Sequence, residues 1–173
     1  MSNGRFYLFW MFAFLGFPLG GLLAIVVVGS VEGLLSAAIA GALAGSVIGA
    51  AQFLVLRRRP GVGPAWILAT ALGLALGNAV GAALTGAGTS IGALILTGVA
   101  AGAAVGTSQW VLLRGRAAAV LWPPVVALAW PVGWTVTWAV GVDVERGYAV
   151  FGSAGALVFA AITGVAMLHL TRR

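Results

Sequence analysis

The stretch IGALILTGVAAGAAVGTSQWVLLR, Ile91 to Arg114, decides the fold. No charge interrupts it before the closing Arg114. At about 1.5 Å per residue, a helix over Ile91–Leu113 crosses a hydrocarbon core of about 30 Å. A barrel strand needs only about 9–11 residues and alternates in polarity. This segment is twice as long and does not alternate, so it reads as a transmembrane helix. Gly98, Gly102 and Gly106 recur every fourth residue and therefore share one face.

Five more segments read the same way: Phe6–Val28, Leu34–Leu56, Ala65–Leu84, Ala119–Val140 and Tyr148–Leu170. Phe6–Val28 is too long for the apolar part of a signal peptide and is expected to be a retained first span. The connections are short and rich in Gly, Pro, Ser and Thr, so consecutive helices are expected to be antiparallel neighbours. The composition agrees: 62% of residues are hydrophobic and 7% charged, against about a quarter charged in a soluble domain.

The charges orient the spans. Arg5, Arg57, Arg58, Arg59, Arg114, Arg116, Arg172 and Arg173 fall on one side, and Arg146 alone on the other, with Glu32, Asp143 and Glu145. Arginine enriched in short cytoplasmic loops puts both termini inside. The net charge of +6 is thus explained by topology. A nucleic-acid partner is not expected, because no basic face is interleaved with aromatics. The chain has no Cys, which excludes disulfides and thiolate metal sites.

Outward from Ile91–Arg114 the pattern returns. Gly49-Ala-Ala-Gln52-Phe-Leu-Val-Leu-Arg57 matches Gly106-Thr-Ser-Gln109-Trp-Val-Leu-Leu-Arg114, and Gly164-Val-Ala-Met167-Leu-His-Leu-Thr-Arg172 is a weaker copy. Trp10, Trp66 and Trp122 recur at a fixed spacing, as do Gly21, Gly77 and Gly133. The expected architecture is an all-α integral membrane six-helix bundle, one transmembrane domain over 1–173. It consists of three tandem parallel helical-hairpin repeats, about 1–59, 60–116 and 117–173, arranged with pseudo-threefold symmetry. Gly41, Gly45 and Gly49, with Gly73, Gly77 and Gly81, extend the small-residue pattern and are expected, with Gly98, Gly102 and Gly106, to pack helix on helix. Ala156, Ala160 and Gly164 form the third version.

The Gly-x-x-Gln-Trp-x-x-Leu-Arg ending, followed by a Trp-led apolar helix, resembles a loose group of bacterial multi-pass membrane proteins with no assigned activity. The resemblance implies a bacterial cytoplasmic (inner) membrane and carries no functional residues with it.

Few side chains are candidates for chemistry. Gln52 and Gln109 sit five residues inside their Arg; they suit either interhelical hydrogen bonds or a polar constriction. Asn78 is an isolated amide in the third helix and needs a partner. Trp130, Trp134 and Trp138 form a stripe, which suits packing or an aromatic wall for a flat apolar ligand such as a carotenoid or quinone. Trp10, Trp66, Trp110 and Trp122 read as interfacial belt residues. Pro18 and Pro131 can kink their helices. His169 is a lone His without a second ligand nearby in sequence.

No metal, no cofactor other than such an apolar ligand, and no acid–base pair is expected. The favoured function is a non-catalytic structural, accessory or scaffold subunit. Its partners would be the lipid bilayer and a larger membrane complex or further copies of itself. The alternatives are a carrier or pore for a small neutral or apolar molecule, and an apolar-ligand binder.

Reporter fusions test the topology. A fusion at Arg173 is expected to report the cytoplasm, and one beside Asp143 the opposite side. An external C-terminus contradicts the six-span reading.

Overall fold

The computed structural model describes residues 2–57, 62–144 and 148–171. Arg58, Arg59, Glu145, Arg146, Arg172 and Arg173 lie outside the described residues. Among the described residues the chain is all-helical, with six helices long and apolar enough to cross a membrane. These are α1 (Asn3–Val28), α2 (Leu34–Leu56), α3 (Ala65–Thr85), α4 (Ile91–Leu113), α5 (Trp122–Ala139) and α6 (Ser153–Thr171). A 3₁₀ turn, Ala117–Leu121, leads into α5. Each helix packs against the next, and α6 returns to α1, so the six close into an annulus.

Glycine sets the spacing within it. A Cβ on Gly41, Gly45 or Gly49 would fall within 2.6–2.9 Å of the α3 backbone at Leu74, Ala71 and Ile67. Gly102 and Gly106 meet Val126 and Pro123 of α5 at 2.5–2.8 Å. Gly98 faces Pro131 more loosely, at 3.1 Å. Gly73, Gly77 and Gly81 of α3 face Val105, Ala101 and Thr97 of α4. These descending and ascending numbers show antiparallel neighbours in a steady register. The closing contact differs: Gly164 of α6 meets the rings of Trp10 and Tyr7 rather than a backbone.

α1 contains an irregularity with a clear cause. Gly16 lies on Ile48 and Gly20 on Ala44, the contacts that Gly73 makes with Val105 and Gly77 with Ala101, 57 residues on. Trp10 and Trp66, however, are only 56 apart. The structural counterpart of Gly77 is therefore Gly20, not Gly21 as equal spacing predicts; Gly21 touches Val150 instead. The missing residue is absorbed by a 3₁₀ turn at Ala13–Leu15. A 3₁₀ helix rises about 2.0 Å per residue against about 1.5 Å in an α-helix, so three such residues recover the rise of one. Pro18 supports the turn, because it has no N–H to donate to the carbonyl of Phe14. Pro131, by contrast, lies inside the continuous helix α5.

α6 also departs from its sequence pattern. Apolarity places its start at Tyr148, but the helix begins at Ser153. Residues 148–152 are non-helical and run into the bundle, where Ala149, Val150 and Phe151 are buried. At Gly155, α6 crosses α5 so closely that a Cβ would strike the carbonyl of Gly133. An apolar run alone does not distinguish a helix from a buried strap.

Gly45→Leu or Gly102→Leu is expected to cost at least about 3 kcal/mol, the upper end of overpacking penalties. The apparent Tm in detergent reads the loss. Gly92→Leu, with open space around the position, should leave Tm nearly unchanged.

Candidate functional site

Four of the buried polar side chains, Gln52, Thr70, Gln109 and Thr163, gather at the end of the bundle where the chain starts. There Trp10, Trp66 and Trp122, each in the first turns of α1, α3 and α5, turn their rings inward and are buried. Trp122 stands edge-on to Trp10 at 6.4 Å and tilted to Trp66 at 6.2 Å. Phe6 stacks on Trp10 at 6.0 Å. The expectation that these three are belt residues is thus corrected. Their N–H groups find acceptors inside the protein, which lets the whole indole be buried.

Each acceptor comes from the helix that precedes its Trp around the annulus. Trp66 Nε1 donates to Gln52 Oε1 of α2 at 3.0 Å, and Trp122 Nε1 to Gln109 Oε1 of α4 at 2.9 Å. Trp10 Nε1 donates to Thr163 Oγ1 of α6 at 3.1 Å. The Gln109 amide nitrogen joins the partners, donating to Gln52 Oε1 at 3.2 Å and Thr70 Oγ1 at 2.9 Å. Thr70 and Thr163 pass their own protons to the backbone carbonyls of Trp66 and Phe159. Met167, which the sequence pattern aligns with the two Gln, is buried. The sequence singled out both Gln and Trp but not their pairing, nor Thr70 and Thr163. The Gln-to-Trp spacings, 52 to 66 and 109 to 122, carried that signal.

Asn78 does something different. Its Nδ2 donates to the carbonyl of Ala149 at 2.9 Å, and Thr137 Oγ1 accepts the N–H of Gly152 at 3.1 Å. Two buried side chains thus serve the backbone of the 148–152 strap. The strap carries Phe151 into an aromatic cluster. Phe151 stacks on Phe17 at 4.8 Å and meets Trp130 at 5.5 Å, Trp134 at 6.0 Å and Phe159 at 5.8 Å. The Trp stripe is therefore split: Trp130 and Trp134 are in the core, whereas Trp138 is 53% exposed. Trp130 Nε1 is the one buried side-chain polar atom without an acceptor among the described residues.

Open space is scarce within this core. The void bordered by Trp10, Phe17, Gln52, Phe159 and Thr163 has no room for a water molecule. At the opposite end a cavity of about 30 Å³ lies against Asn78, Thr97, Trp134 and Tyr148. Larger apolar grooves lie on the outside, one between α1 and α2 at Phe12 and Leu54, another between α3 and α4 at Leu76 and Ala103. The described Asp, Glu and His side chains are exposed, as are Arg5, Arg57 and Arg114, while Arg116 is half-buried. His169 Nδ1 lies 2.8 Å from the carbonyl of Val165 one turn back. No group of three His, Asp or Glu able to hold a metal exists among the described residues. The interior chemistry is that of neutral amides, indoles and hydroxyls.

Gln109→Leu removes the acceptor of Trp122 and two donated bonds, and is expected to cost about 1–3 kcal/mol. In a cycle with Trp122→Phe the double variant should lose less than the sum, by about 0.5–3 kcal/mol. Additive losses, read by detergent unfolding, would show the bond to be unimportant. Compared with family models, curated proteins and solved structures, the chain has no match.

Proposed function

We propose that this chain is a non-catalytic polytopic protein of a bacterial cytoplasmic membrane that acts as a structural or accessory scaffold subunit. Its three hairpin units, 1–59, 60–116 and 117–173, close about a pseudo-threefold axis, with both termini inside. The equal contacts 57 residues apart and the Trp10–Trp66–Trp122 cluster support the repeat. The arginines at the Trp end support the orientation.

The observation that carries the scaffold reading is the filled interior. Three indoles and their amide and hydroxyl partners occupy one half, and Phe151 with its aromatic neighbours the other. An ion crossing this interior would meet no compensating charge. Charge at the bilayer centre costs at least about 2.5 kcal/mol by insertion scales. Gln52, Gln109 and Asn78, the sequence's candidates for a pathway, each spend hydrogen bonds on other protein groups. Its partners, on this reading, are lipid and a larger membrane complex or further copies of itself, met across the apolar outer faces.

Purified protein in liposomes should give ion and proton fluxes no higher than empty vesicles. Asn78→Leu should leave that result unchanged. Flux well above the blank, abolished by Asn78→Leu, would replace the scaffold with a transporter.

A further inference from the structure

Phe151 is an unusual core residue because of how it is delivered. Its ring lies in a box walled by Phe17 on one face and by Trp130, Trp134 and Phe159 around it. Gly133 forms the remaining floor; a Cβ there would come within 2.8 Å of the Phe151 ring. The four aromatic walls stand on helices α1, α5 and α6. Phe151 itself stands on the non-helical strap; among the described residues, two side chains hold its backbone, Asn78 at the carbonyl of Ala149 and Thr137 at the N–H of Gly152. The walls thus stand on helices, whereas their occupant stands on the strap.

Two further observations bear on the box. Trp130, one of its walls, has a buried Nε1–H with no protein acceptor. An indole donor in an apolar interior normally has one. The cavity of about 30 Å³ beside Asn78 also touches Tyr148 and Ala149 of the strap and Trp134 of the box. Moving the strap outward would join that cavity to the box.

We propose that the box is a binding site for a planar apolar molecule bearing a carbonyl acceptor, of the quinone class, and that Phe151 is its built-in competitor. The ligand's ring takes the place of the Phe151 ring, stacked on Phe17. Its carbonyl oxygen accepts the Trp130 N–H that Phe151 cannot satisfy. The strap moves outward, joining the cavity to the box, and gives up its bonds to Asn78 and Thr137. Binding is thus opposed by the strap, and weakening the strap strengthens it. This site is independent of the scaffold reading and needs no flux through the bundle.

Equilibrium dialysis of 2-methyl-1,4-naphthoquinone against the full-length protein in an alkyl maltoside, with protein-free micelles as the blank, tests it. Wild type is expected to bind one equivalent saturably. Phe151→Ala, which empties the box, should bind at least tenfold more tightly. Trp130→Phe, which keeps a ring but removes the N–H, should bind at least tenfold more weakly than wild type. Should Phe151→Ala fail to fold, Thr137→Val loosens the strap with the box intact and is expected to bind at least threefold more tightly. No saturable binding by wild type and by the folded strap or ring variant overturns the proposal. So does an affinity that Trp130→Phe leaves unchanged.

Discussion

The close approach of helix backbones at glycine is the constraint on which the rest of the structure depends. In the bilayer setting proposed here, lipid tails are as apolar as leucine, so no hydrophobic drive holds helix to helix. Dispersion contacts and internal hydrogen bonds must do so, and both need short distances. Gly41, Gly45 and Gly49 bring α2 onto α3, and Gly102 and Gly106 bring α4 onto α5, to separations at which a single methyl group would collide. That closeness puts Gln52 within reach of Trp66 and Gln109 within reach of Trp122. These two indole bonds follow from the glycines, since helices spaced by larger residues would hold the amide and the ring apart.

Polarity inside the bundle is also governed by supply. A buried donor needs an acceptor, and in a membrane interior water does not readily provide one. The chain meets this with neutral groups, each answering a need of the fold itself. Gln109 serves an indole, a second amide and a hydroxyl at once. Asn78 and Thr137 satisfy the only non-helical backbone that the described residues bring deep among the helices.

The six long apolar helices, their antiparallel order and the spacing of the glycines were legible in the sequence because each rests on a local pattern: hydropathy over 20 residues, or a four-residue spacing. The Trp residues were misread for the same reason. Trp10, Trp66 and Trp122 stand near helix starts, where belt residues also stand, and only a partner on another helix tells the two apart. Asn78 was recognised as needing a bond, but its partner lies 71 residues away in a segment whose composition imitates a helix. The shift from Gly21 to Gly20 was hidden by a 3₁₀ turn that no single residue announces. What sequence leaves out here is pairing across long separations and small changes of helical winding.

In the proposed three-unit arrangement, the third hairpin shows how a closed annulus tolerates divergence. Two of its closing contacts could copy the others only if α6 met α1 through glycines and ended in a Gln. Instead Gly164 faces the rings of Trp10 and Tyr7, and Met167 stands in place of the amide. Thr163, four residues earlier and one turn deeper, supplies the acceptor for Trp10. A hydroxyl reaches less far than a Gln amide, so the indole must come to it, which fits a ring lying against α6 rather than between two backbones. The seam is then filled by Phe17, Phe151 and Phe159, which pack ring on ring. The strap belongs to this unit alone. Loss of the third glycine seam and gain of an aromatic core are therefore two sides of one change: where backbones cannot approach, large rings must close the gap.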